Sequence, residues 1–235
     1  MAGYTVFVTL HVSAGVLALI TFWINAAMRK GSATHRLVGR VYLLAMTAVV
    51  LSGVPLVAQR LIDGHPIAAA FLGYLLVLTV TATWQLWRAV RDRGSVQRYT
   101  GLVYRALAFA NMASGAAVLL LGLHAGQPLL IGFSAVGLFT GANMLRKRAR
   151  LSQHAMWWRE EHYSAVLAAG VATHIAFLSL GLPRLLPAVN GTALHYASWF
   201  GPLVAALAAK WWLDRHYRRR RPVGPGVAPQ AAGPG

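Results

Sequence analysis

The residues in this chain whose types can do chemistry are histidines and arginines set at the ends of, or inside, long apolar runs. His11 and His174 are the deepest. Counted at 1.5 Å per helical residue, each lies roughly 10–12 Å below the same end of its run. An ionisable ring at such depth is costly and is either functional or held by a hydrogen-bond partner. Equal depth on two helices is what a bis-imidazole haem iron or a shared metal requires. A neutral histidine donating to a facing carbonyl or hydroxyl satisfies the same ring without any ligand. Gly15 follows His11 by four residues and Gly170 precedes His174 by four, so each glycine is expected one turn deeper on the histidine's face. Small residues there would admit a flat macrocycle, and they serve close helix packing equally well.

A second group gathers at the opposite end. His35, His154 and His162 provide a weaker inner haem site, with His162 twelve residues from His174, about 18 Å along one helix. Rotation over those twelve residues puts the two rings on different faces. Arg36, Arg40, Arg98, Arg105, Arg159, Glu160 and Glu161 lie at this end too. They read as an ion-pair network tying loops together, or as a basic pocket for haem propionates, a lipid headgroup or another anion. Arg105 lies two turns inside Arg98 and must snorkel, pair or line a polar cavity. His65, His124 and His195 share the end of the deep pair, where three imidazoles would suit zinc or copper, yet none stands at a local ligand spacing.

Much chemistry is excluded. The 235 residues contain no cysteine, hence no disulfide, thiolate metal site or cysteine nucleophile. Gly-rich phosphate loops, His-Glu-x-x-His and Gly-x-Ser-x-Gly are absent. Asn25, Asn111 and Asn143 read as interhelical hydrogen-bond partners. Trp157-Trp158 and Trp211-Trp212 read as interfacial anchors.

The elements that must position these residues are apolar helices. The chain is 57% hydrophobic and 11% charged, against about 25% charged in soluble domains. Seven apolar runs, near 4–28, 37–58, 67–87, 100–123, 128–145, 161–182 and 197–213, approach or exceed the ~20 residues that cross a bilayer. The expected fold is all-α, a seven-helix integral membrane domain over 1–217. Net charge is +17, and the basic residues cluster in alternate connections, which argues for membrane topology rather than nucleic acid. The positive-inside rule puts the N-terminus outside and the C-terminus in the cytoplasm of the cell (inner) membrane. Residues 218–235 are expected to form a disordered basic tail near anionic headgroups.

Part of the chain repeats. Arg36-x-x-Gly39-x-Val41-Tyr42 recurs 62 positions later as Arg98-x-x-Gly101-x-Val103-Tyr104. Ser52-Gly53 and Ser114-Gly115, Arg29 and Arg91, and Thr21 and Thr83 share that offset. Helices one–two and three–four are therefore expected to be a parallel repeat, with Gly39 and Gly101 at tight helix contacts.

His11 in a first helix, then His35-Arg36-x-x-Gly39-Arg40-x-Tyr42 opening the second, resembles a family of bacterial multi-pass membrane proteins catalogued as domain of unknown function 2306. The likeness covers about the first 60 residues well and the next 60 more loosely. Its later His-Arg motif is reduced here to Gln97-Arg98, with His154-Ala155-Met156-Trp157-Trp158-Arg159 carrying part of the pattern. The resemblance implies a membrane-embedded fold and no settled activity. From the residues, the leading expectation is b-type haem between His11 and His174 and electron transfer across the bilayer to an unknown redox partner. The alternatives are a transporter or lipid-handling protein with a cavity around Arg40, Arg105 and Glu161, and a structural subunit without ligand.

Overall fold

The computed structural model describes residues 2–188 and 191–219. The expected tail therefore lies outside the described residues, save that helix continues to Arg219. The elements are α1 (Ala2–Ala27), α2 (Ala33–Ile62), α3 (Pro66–Arg91), a single-turn α4 (Val96–Tyr99), α5 (Leu102–Ala125), α6 (Pro128–Arg148), α7 (Trp157–Ala176), α8 (Leu182–Leu185) and α9 (Thr192–Arg219). A short 3₁₀ turn, Leu151–Gln153, precedes α7, and a π-helical stretch, Phe177–Gly181, joins α7 to α8. No strand occurs among the described residues.

Local chemistry sets the boundaries. Ser32 accepts the His35 amide and Ser95 accepts that of Arg98, which opens α2 and α4 with capped N-termini. Pro66 and Pro128 occupy the first turns of α3 and α6, where a missing N–H costs nothing. Gly126 closes α5 at φ +62°, a left-handed conformation that suits glycine. The second copy of the repeated motif is broken: seven residues separate Ser32 from Gly39, whereas six separate Ser95 from Gly101. In α2 the motif runs through continuous helix, while in the second copy the helix stops at Tyr99 and restarts after Gly101.

Six helices (α1, α2, α3, α5, α6 and the α7–α8 rod) are long and apolar enough to cross a membrane. Only 17–39% of each apolar window is buried within the chain, so most of that surface is left facing outward, where a hydrocarbon environment accepts it. α9 has 28 residues but is more polar and is not among the six.

α1 and α2 form one antiparallel hairpin, α5 and α6 another, and α3 packs closely on α7 between them. α9 lies along α7. The closest backbone approaches belong to the second hairpin. A Cβ on Gly141 would collide with the Ala108 carbonyl oxygen, and one on Gly115 would stand 3.0 Å from the Leu138 nitrogen. Gly39, by contrast, has nothing within 4 Å, and a Cβ on Gly101 meets only its own preceding turn at 3.4 Å. The tight helix contacts expected at Gly39 and Gly101 are therefore made by other glycines. Both motif glycines sit where a helix begins, before neighbouring helices have converged.

Candidate functional site

The two deep histidines are not brought together. His174 Nδ1 lies 2.7 Å from the Gly170 carbonyl oxygen, and its Nε2 accepts the indole N–H of Trp23 at 3.0 Å. A carbonyl can only accept, so the proton sits on Nδ1 and the Nε2 lone pair is taken by Trp23. His11 instead pairs through Nδ1 with Ser52 Oγ at 3.0 Å. Trp23 and His11 are twelve residues apart on α1, about 18 Å along the axis. Nor is the space beside Gly170 a slot for a macrocycle: the ring of Phe22 fills it, 2.5 Å from where a Cβ would be. Gly15 faces open space. Equal counts from the ends of apolar runs hid the real levels.

The inner group is partly assembled. Capping by Ser32 sets His35 in the first turn of α2, and Tyr42, seven residues on, returns to the same face. Lys30 Nζ folds back onto the Asn25 and Ala26 carbonyls at 2.6 and 2.8 Å, closing the end of α1. Burial holds the Lys30 ammonium below its ordinary value. His162, near the start of α7, places Nδ1 2.9 Å from the Leu86 carbonyl oxygen of α3. That bond fixes the proton on Nδ1 and leaves Nε2 with a free lone pair. Lys30 and His162 both lie near enough for their charges to act on His35. Around them, Asn25 Oδ1, His35 Nδ1 and Tyr42 Oη are buried and have no partner. Tyr42 and Leu86 belong to one buried cluster, joining these groups through α2 and α3. An unpaired buried polar atom costs about 1–3 kcal/mol, so three of them on α1 and α2 mark a place where further polar atoms belong. His154 is exposed in the connection before α7 and contributes nothing here.

The acids make a separate arrangement. Glu161, 2% exposed, pairs with Lys147 at 2.5 Å and accepts Tyr99 Oη at 2.9 Å. Burial first, and then the Glu161 charge, push the Tyr99 hydroxyl well above its usual value. Tyr99 is packed against Trp84, Tyr104 and Trp157. Trp157 is thus a core residue rather than an interfacial anchor, while Trp211 and Trp212 are exposed. Glu160 approaches Lys210 at 3.8 Å, Lys210 also holds Asp214, and Tyr163 donates to Asp214, so this network fastens α9 to α7. The arginines do not converge on the acids. Arg40, Arg98 and Arg105 are exposed, Arg36 bonds the Gly31 carbonyl, and Arg159 lies 4.3 Å above the Tyr217 ring. A polar cavity around Arg40, Arg105 and Glu161 is not formed.

No family model, no curated protein and no solved structure matches this chain.

Among the described residues no three His, Cys, Asp or Glu side chains gather to hold a metal, so His65, His124 and His195 do not form a zinc or copper site. Asn111 is an interhelical partner as expected, donating to Thr81 Oγ1 at 2.7 Å. Sequence reasoning passed over the three lysines. They stand against nineteen arginines, and every one of them makes a buried or capping contact. That scarcity was the available signal, because a compact ammonium satisfies a single carboxylate where a planar guanidinium needs more room.

Proposed function

We propose that this is a multi-pass inner-membrane protein that binds b-type haem through His162 and His35 at its basic end. The observation that carries this reading is the bond from His162 Nδ1–H to the Leu86 carbonyl. A histidine ligand usually donates its second ring N–H to a backbone carbonyl or carboxylate, which orients the ring and fixes the metal-binding tautomer. The unpaired Nδ1 of His35, within electrostatic reach of His162, supplies a second imidazole. Two neutral nitrogens and no acid form a donor set that suits haem iron. When bound, haem would supply one-electron chemistry near the basic face. The chain's own part is to hold the two rings, to bring Tyr42 and Asn25 beside them, and to keep the Lys30 ammonium near the macrocycle's acidic edge.

The proposal includes α9 as a seventh span, the N-terminus outside and the C-terminus in the cytoplasm. It includes membership of the family of domain of unknown function 2306, resting on His35-Arg36-x-x-Gly39-Arg40-x-Tyr42. A parallel repeat draws support from contacts that recur at the sequence offset. Gly53 faces Leu76 and Gly115 faces Leu138. Ser52 Oγ bonds the Ala48 and Val49 carbonyls, and Ser114 Oγ those of Ala110 and Asn111.

The test is the reduced-minus-oxidised absorption spectrum of protein produced with ample haem precursor. A b-type band should be present in the parent, lost in His162→Ala and His35→Ala, and kept in His11→Ala and His174→Ala. A colourless parent sinks the reading. A band that survives His162→Ala and disappears in His174→Ala moves the iron to the other end of α7.

A further inference from the structure

We infer that the groove between α2 and α3 binds a lipid-soluble quinone by its ring. The groove encloses about 320 Å³ and is walled by Leu43, Thr47 and Val50 of α2 and by Thr83, Trp84 and Trp87 of α3. That volume falls within the roughly 300–1,000 Å³ of small-molecule sites, which are mostly apolar and aromatic with a few placed polar groups. Leu44, 70% exposed, stands at its mouth, so the groove opens on the hydrocarbon side of the bundle.

The placed polar group is Thr83. Thr47, Thr79 and Thr81 each donate to the carbonyl four residues back. Thr83 does not, and although it is only 8% exposed its Oγ1 has no partner. Its hydroxyl is therefore a donor available to the ligand. No charged residue lines the groove, so the ligand is neutral. Depth excludes the commonest lipid-borne acceptor. Thr83 lies eight residues before Arg91, about 12 Å inside the basic end of α3, whereas phospholipid ester carbonyls stay at the interface. A carbonyl reaches Thr83 only when carried on an apolar ring. The indole walls suit a flat ring, and Trp84 is already held, stacked on Tyr99 and covered by Arg88.

The site stands apart from the haem reading and is tested without it, on the colourless His162→Ala protein. Decylubiquinone should quench part of the tryptophan fluorescence and raise the melting temperature, both saturably. Thr83→Val should weaken binding about fivefold, the worth of one hydrogen bond. Leu44→Trp, at an exposed position that spares the fold, should block the groove and abolish binding. Decylbenzene, which has the tail and no carbonyl, should not stabilise. The inference is overturned by the absence of saturable binding, by two variants that bind like the parent, or by equal stabilisation with decylbenzene, which would identify a groove for acyl chains only.

Discussion

Replacing Lys147 by Met removes the partner of a carboxylate that is 2% exposed and leaves only the Tyr99 hydroxyl on it. Breaking a buried ion pair from one side costs about 3–5 kcal/mol, because the remaining charge is neither paired nor hydrated. Lys147 itself is 28% exposed, so water enters the space it vacates and the cost falls at the lower end, about 3 kcal/mol. For a chain of this size each kcal/mol moves the melting temperature by about 2–4 °C. The Lys147→Met protein should therefore melt about 6–12 °C below the parent, followed in detergent by near-ultraviolet circular dichroism. Adding Glu161→Gln removes the stranded charge and keeps an oxygen for Tyr99, so the double variant should regain most of the loss. The same substitution at exposed Arg105 should change little. A single variant that melts with the parent, or a double variant as unstable as the single, would show that Glu161 is not enclosed in the folded protein.

Glycine substitutions should separate helix contacts from helix starts. Gly141→Ala meets the Ala108 carbonyl and Met112 and should cost about 1–3 kcal/mol, whereas Gly39→Ala meets nothing and should be neutral or stabilising, both read by thermal melting. Reporter fusions should place His65 and Gly126 outside and Ser95 and Ser152 inside. A fusion after Arg219 should be cytoplasmic when α9 crosses the bilayer and external when α9 lies along its surface.

The helical elements were legible because apolar runs between basic connections leave few alternatives, and Ser32, Pro66 and Pro128 mark their starts. α9 was less so. Its apolar residues are interrupted by His195, Lys210 and Asp214, and its attachment to α7 depends on which acids meet which cations. The deep-histidine pairing fails because depth counted from the ends of runs is a poor guide, and the real level of His174 is set by Trp23 across the bundle. The repeat predicted contacts at Gly53 and Gly115 better than at its own signature glycines, since only the former lie where helices run side by side. Nothing in the sequence distinguished His162 from His154. The difference is a carbonyl on α3, which only packing brings into place.

The π-helical stretch Phe177–Gly181 bears on how this chain came to its present length. Such a segment is what an α-helix becomes when it absorbs an extra residue without unravelling. Each added residue rotates the remainder of the helix by about 100°, so Arg184 and the approach to α9 point in a direction that an uninterrupted α7 would not give them. An ancestor one residue shorter would have carried α9 on another side of α7. Deleting Leu180 would then act as a reversal of that step, re-aiming the last helix while leaving the six apolar spans intact.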